Sequence, residues 1–405
     1  MTLKQALDLA LQQNPDLVIA RLDQQRARDQ VTITKDPFSP KVFAGSGAAW
    51  TYGFPTSIDG QAPSIVEART SMALFDRPQS YLVAQAKEAL KGTEFDLAAK
   101  QEEVAYRVAS LFLDARTAAL SLAAAQREAD NLARVQQLVE ARVQDGRELA
   151  IESKRAGLGV LRSKQRVEAL GLDVLSAESS LAEVLGMGIN DRVQADQDEP
   201  VGVAMPESED GTIAQALESN PELKRLASNL QAKLLEVKSY KAQRLPKIDL
   251  VAQYALLGKY NNFDQYFTKF QHNNIELGAS ISVPVLAGRA SSAYASQADA
   301  DAAKIRAEIS RTRGRIANDL RRAFQDVRRA DASRDLARAD LDLARDQISI
   351  DLAQMEEGRI PAAKTELDRA TENEKWLALY DAQTASERAR LGFLRQTGTL
   401  LSALR

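Results

Sequence analysis

The chain has 405 residues, a formal net charge of −3 and no cysteine. The balanced charge offers no basic field to nucleic acid, and the missing thiols exclude disulfides, thiolate catalysis and cysteine metal sites. The one histidine, His272, has no second imidazole with which to share a metal and reads as a surface loop residue. Charged residues make up 27% and aromatics 5%, a balance that belongs to long helices and not to a mixed globular core. No run of about 18 apolar residues occurs, so no membrane-spanning helix is predicted. Met1-Thr2-Leu3-Lys4 opens straight into an amphipathic pattern, so the chain reads as cytosolic or as a mature form.

In chain order, a helix is predicted over residues 2–35, ended by Phe38 and Pro40 because proline biases its predecessor out of the helical region. Two extended segments follow, at about 41–52 and 65–75. In the second, Val66, Ala68, Thr70, Met72 and Leu74 oppose Glu67, Arg69, Ser71 and Ala73; in the first, Gly45, Ser46 and Gly47 blur the alternation. From Gln79 to Val143 there is no proline and one glycine, Gly92. That stretch predicts about 100 Å of helix at a rise of ~1.5 Å per residue. A seven-residue stripe runs through it: Val83, Leu90, Leu97, Val104, Leu111, Ala118, Ala125, Leu132, Val139. Such a period means under-wound, supercoiling helices. Ala84, Ala98, Ala105, Phe112, Ala119 and Ala133, one residue after the stripe, widen the contact face to two neighbours, as a closed ring of helices requires. A glycine turn at Gly146 then returns the chain through a helix at roughly 148–185.

The same order recurs. Ala10-Leu11-Gln12-Gln13-Asn14-Pro15-Asp16-Leu17 matches Ala216-Leu217-Glu218-Ser219-Asn220-Pro221-Glu222-Leu223, and Pro40-Lys41-Val42 matches Pro246-Lys247-Ile248 at the same offset. Asp145-Gly146-Arg147 matches Glu357-Gly358-Arg359, and Gly186 matches Gly398, at an offset six residues longer. The chain therefore divides into a first repeat, 1–187, with its hairpin at 76–187; a Pro/Gly-rich connector, 188–211; and a second repeat, 212–405. The second repeat holds a helix at 212–244, strands at about 247–257 and 274–286, and a hairpin at 287–401. Its stripe keeps phase through Ala295, Ala302, Ile309, Ile316, Ala323, Ala330, Ala337 and Ala344.

Ile248, Leu250, Ala252, Tyr254 and Leu256 alternate with Asp249, Val251, Gln253 and Ala255. Ile275, Leu277, Ala279, Ile281 and Val283 alternate with Glu276, Gly278, Ser280 and Ser282. A period of two over about nine residues fits a half-buried strand, and it is also the pattern of a transmembrane β-strand. Four strands cannot enclose a channel, whereas three chains would supply twelve. A small soluble β-cap on a helical rod is the alternative. Loop 258–273 carries Tyr260, Phe263, Tyr266, Phe267 and Phe270, which suits an interfacial girdle or a loop that folds over a pore mouth; loop 53–64 is its shorter counterpart.

In this duplicated order of helix, strand, strand, long helix, glycine turn and helix, the chain resembles the TolC-like outer-membrane efflux channel family. The resemblance is carried by the repeated Asn-Pro segments and by Pro40 and Pro246 opening strands. The strand-to-helix corners add to it: Leu74-Phe75-Asp76-Arg77, and Pro284-Val285-Leu286-Ala287-Gly288-Arg289. So do the glycine turns Gly146 and Gly358 and the closing glycines Gly186 and Gly398. It covers nearly the whole chain. It implies a mainly α fold with a small β part: tandem coiled-coil hairpins forming an α-barrel tunnel, plus four strands per chain in a trimeric twelve-stranded transmembrane β-barrel. It further implies a homotrimer in the Gram-negative outer membrane, reaching into the periplasm. There it would meet a periplasmic adaptor (membrane fusion) protein and, indirectly, an inner-membrane pump.

On that resemblance the docking tips are Asp145, Gly146, Arg147 and Glu357, Gly358, Arg359. The barrel residues facing outer-membrane lipid are Ile248, Leu250, Tyr254, Leu256, Leu277, Ile281 and Val283. Family members close their tips with inward polar residues, often aspartates; here Glu152, Lys364, Glu366 and Asp368, with Glu148, stand nearest. Lys364 is basic where an acid is expected, and a solvated helix face is the alternative role for each. The N-terminal lipidation cysteine of some members is missing. No nucleotide-binding glycine loop, catalytic pair or metal cluster is legible, so the expectation is a passive exit duct for efflux or type I secretion, not an enzyme, and without a cofactor. The rival reading is a non-membrane coiled-coil scaffold, which predicts solubility without detergent.

Overall fold

The computed structural model describes residues 1–47, 64–196, 209–258, 271–285, 289–357, 359–360 and 362–404. The aromatic loop residues from Tyr260 to Phe270, much of loop 53–64, Gly358, and the corner Leu286 to Gly288 lie outside the described residues. The elements are α1 (Leu3–Gln13), α2 (Pro15–Lys35), a short 3-10 turn (Asp36–Phe38), β1 (Lys41–Gly45), β2 (Ser64–Phe75), α3 (Arg77–Gln144) and α4 (Ala150–Val184). The second repeat supplies α5 (Glu209–Ser219), α6 (Pro221–Ala242), β3 (Lys247–Leu257), β4 (Asn273–Ser282), α7 (Arg289–Glu356), α8 (Ala362–Thr397) and the short α9 (Leu400–Leu404).

One expectation needs correction in both halves. The opening helix is two helices, broken at Asn14 and again at Asn220. Proline at the first position of a helix loses no hydrogen bond, but it forces the preceding residue out of the helical region. Asn14 sits there with φ −57° and ψ 126°. Its Oδ1 accepts from the Asp16 and Leu17 amides, and Asn220 does the same for Glu222 and Leu223. Each asparagine thus ends one helix and caps the next.

The chain divides into two compact units. One comprises Leu22–Glu94 and Lys224–Ser310 and holds the sheet. Within it the order is β1-β2-β3-β4, all neighbours antiparallel. Register decides which side chains share a face. Thr70 pairs with Ala252 and Met72 with Leu250, while Leu250 pairs with Ala279 and Ile248 with Ile281. Since neighbours across a ladder point to the same side, the apolar sets of β2, β3 and β4 form one continuous face. The opposite face collects Arg69, Gln253 and Glu276 in one row and Glu67, Ala255 and Asn274 in another. His272 is tied in and not free on a loop: its carbonyl accepts from the Leu257 amide at the end of β3 at 2.8 Å, and its ring Nδ1 lies 3.2 Å from the Leu257 carbonyl oxygen. Around the sheet, Gln79 of α3 donates to the Thr34 carbonyl of α2. Ser239 of α6 donates to the Pro78 carbonyl, and Tyr240 stacks on Tyr294 of α7 at 5.5 Å.

The other unit comprises Met1–Arg21, Phe95–Leu223 and Arg311–Arg405. Its core is the seam of the long helices: Val104, Val108, Phe112, Leu113 and Ala125 of α3, and Ile316, Leu320, Val327 and Leu341 of α7, are buried. One stretch of α3 is apolar enough by length and composition to cross a membrane, against the expectation of none, but half of it is buried in this packing. Alanine raises the hydropathy there while small side chains let neighbouring helices approach.

Candidate functional site

Two features of the helical unit bear on function: the ends of the hairpins and their flanks. At the first end, α3 stops at Gln144 and Gly146 takes φ +69°. The Arg147 amide donates to the Arg142 carbonyl, and the Gly146 amide to that of Val143. This paired pattern is how a left-handed residue closes a helix. Arg142 and Glu148 bridge the turn at 3.3 Å, leaving Asp145, Gly146 and Arg147 exposed. At the second end Arg359 donates to the Gln354 carbonyl, the same long bond 212 residues on (359 against 147), and Glu357 and Arg359 pair at 2.9 Å.

Of the residues expected near an aperture, Lys364 and Asp368 share a neighbour in Asp351. Glu152 is half-buried and bonds Arg155, in α4. Lys364 is exposed and reaches Asp351 at 3.7 Å. The side chain of Glu366 lies outside the described residues. Asp368 does not sit on a solvated face: its Oδ2 is buried, as is that of Asp351, and neither finds a donor. Asp351 is 1% exposed and was not anticipated. The signal was present, for the seven-residue stripe of α7 that ends at Ala344 reaches Asp351 at its next step.

The bases of the hairpins are closed by glycine as well. Gly186 (φ +78°) lies so near the Asn14 break that an added Cβ would stand 2.8 Å from the Gln13 carbonyl oxygen. The Asn14 side-chain amide donates to the Val184 carbonyl at 2.7 Å. Gly398 (φ +71°) meets Pro221 in the same way, with more room, at 3.5 Å. The hairpin expected to run to residue 401 therefore ends its second long helix at Thr397.

Laterally, the hairpins meet through α3 and α8. Thr117 bonds Thr384, Arg116 pairs with Glu387, Asp114 with Arg388, and Asn373 donates to Glu128. Burial raises Glu128 and Glu387 above the usual carboxylate range despite the arginines nearby. Within the second hairpin α8 is held to α7 by Arg390 on Asp331 (3.0 Å) and Lys375 on Asp340 (2.8 Å). The lateral order is thus α4, α3, α8, α7, and the outer helices carry apolar side chains in water. On α4 these are Leu158, Leu161, Leu172 and Leu175; on α7 they are Leu336, Leu343 and Ile350, one per seven residues. Leu161 is 67% exposed and Leu343 69%. Among the described residues no group of three or more acids or histidines could hold a metal ion.

Tandem helical hairpins with a four-stranded sheet having one apolar and one polar face define an outer-membrane channel protomer. The family model described as outer membrane efflux protein matches residues 6–187 and again 212–399. The chain belongs to that family. It is an outer-membrane efflux channel. Solved structures sharing the fold include the CmeC outer membrane channel of Campylobacter jejuni, at 15% identity and TM-score 0.77, covering 98% of this chain and 86% of that one. The outer membrane protein VceC of Vibrio cholerae shows 13% identity and TM-score 0.77, covering 98% and 96%. The open state of the MtrE channel of Neisseria gonorrhoeae shows 16% identity and TM-score 0.77, covering 98% and 89%. No curated protein sequence matches the chain.

Proposed function

We propose that three copies of this chain close into a passive exit duct, which receives substrates from an inner-membrane pump through a periplasmic adaptor and carries no chemistry of its own. The observation that carries this is the relation between a filled interface and an empty one. The α8 positions that meet α3 inside the chain include Asn373, Thr384 and Glu387. Counted 212 residues back, they are Leu161, Leu172 and Leu175 of α4. The α3 residues that meet α8, Asp114, Arg116, Thr117 and Glu128, recur on α7 as Asp326, Arg328, Arg329 and Asp340, a face that also carries the exposed Leu336, Leu343 and Ile350.

A duplicated hairpin that docks α8 on α3 within a chain calls for α4 to dock on α7 of the next chain. Covering each leucine there is worth ~1.5–3 kcal/mol. The relation is heterologous, so it must close into a ring or run on as a filament. The sheet makes the same demand, since β1 and β4 each keep an open edge. With Ile248, Leu250, Tyr254, Leu256, Leu277, Ile281 and Val283 toward lipid, the row of Arg69, Gln253 and Glu276 lines the lumen.

The tips Asp145, Gly146, Arg147 and Glu357, Gly358, Arg359 are the parts of each hairpin free to meet an adaptor. Reconstitution tests the reading: detergent-extracted protein should have the mass of a trimer and give single-channel conductance in a planar bilayer. A monomer soluble without detergent would support the scaffold instead. Gly146→Leu with Gly358→Leu should weaken adaptor capture while conductance persists.

A further inference from the structure

Near its end, the second hairpin is held together by two acids. Asp351 on α7 and Asp368 on α8 face each other, near enough for a protonated carboxyl on one to donate to the other. Each keeps a buried Oδ2 that no other group donates to. Around them, α7 contributes Gln347, whose amide donates to Asp351 Oδ1 at 2.8 Å, and α8 contributes Lys364, 3.7 Å from that same oxygen. Thr365 of α8 is buried beside them, its hydroxyl on the Met355 sulfur at 3.6 Å. Lys364 brings a positive charge to the pair.

One ammonium balances one carboxylate. Two carboxylates that face each other through buried oxygens cannot both stay ionised, because the repulsion and desolvation of the second charge exceed what one lysine at 3.7 Å offsets. A single proton between the two Oδ2 atoms satisfies both. The first hairpin has no such device: the equivalents of Asp351 and Asp368 are Val139, which is buried, and Ala156.

We propose that Asp351 and Asp368 share one proton and form a latch that pins α8 to α7 near the tip of the second hairpin, and that losing this proton frees that tip while the first stays closed. The inference rests on the packing of one hairpin and stands apart from adaptor docking. Its pH window follows from the directions of the two shifts. The bond with Asp351 and burial hold Asp368 above the usual carboxylate range, while the proton donated by Asp368 holds Asp351 below it. Between those limits the pair carries one proton. As pH rises through the raised value of Asp368 the latch is lost by repulsion. As pH falls through the depressed value of Asp351, the second proton removes the charge that Lys364 and Gln347 hold.

Amide hydrogen exchange of the detergent-extracted full chain, corrected for the intrinsic pH dependence, tests this directly. Peptides spanning 351–368 should lose protection by up to about tenfold per pH unit as the shared proton leaves, since one ionisation couples to opening. Peptides spanning 139–156 should keep theirs. Asp368→Asn keeps a donor that cannot titrate, so protection at the second tip should persist and become independent of pH. Asp351→Asn places the amide on the other helix and serves if the first variant does not assemble. A wild-type second tip as pH-independent as the first, or a variant with the wild-type slope, would overturn the latch.

Discussion

The two hairpins share a backbone and differ in what their side chains are asked to do. Both are turned by the same long hydrogen bond 212 residues apart (Arg147 to Arg142, Arg359 to Gln354), and both are closed at the base by a left-handed glycine against an Asn-Pro break. Yet the first keeps Val139 and Ala156 where the second has Asp351 and Asp368. The first also carries Leu161 and Leu172 where the second carries Asn373 and Thr384. Duplication preserves what fixes the chain path, while positions meeting a different neighbour are free to change polarity. A polar lateral face suits a contact made within one chain, where the partner is tethered. A leucine face suits one that must gather separate copies.

The difference can be broken deliberately. The largest effect is expected from Leu161→Asp with Leu343→Asp, which buries unpaired charge in the proposed seam and should abolish the trimer in detergent, as read by light scattering. Asn373→Leu, on the polar face, should leave the trimer intact.

The base of each hairpin offers a graded test. Gly186→Ala combines left-handed strain with a Cβ 2.8 Å from a carbonyl oxygen, and should cost about 3 kcal/mol in heat-dissociation stability. Gly398→Ala carries the strain alone and should cost about 1–2 kcal/mol. Equal losses would show that the two bases are packed alike. Asn14→Ala removes both a helix cap and a buried bond to Val184, for about 2 kcal/mol, against about 1 kcal/mol for the cap alone in Asn220→Ala. The smallest change should come from converting the second tip to the first, Asp351→Val with Asp368→Ala. Assembly should survive, and the pH dependence of exchange at that tip should vanish.

The legible and the illegible parts of the sequence divide along the same line. Helix ends and turns were readable because Asn-Pro and glycine act through local backbone geometry, which a short motif encodes. The strands were readable because alternation is local too, and register then brought Leu250, Ala279 and Met72 onto one face. The break at Asn14 is masked in the sequence although its proline is in view, because the apolar pattern continues through it. The pairing of Asp351 with Asp368 is out of reach of the sequence, since it depends on how far α8 is staggered against α7, although the stripe of α7 steps onto Asp351 and Asp368 stands among the tip acids. The exposed leucines are ordinary in sequence. Only a structure that leaves them in water, beside repeat-related positions that are covered, gives them meaning.

The claim most exposed to test is the docking of α4 on α7 of a neighbouring copy. The chain has no cysteine, so Leu161→Cys and Leu343→Cys can be introduced without interference. A short thiol cross-linker applied to the doubly substituted channel in outer membranes should yield covalent dimers and trimers on denaturing gels. Neither single variant should yield anything beyond a trace. Intact trimers that refuse the cross-link, or a link formed within one chain, would contradict the account.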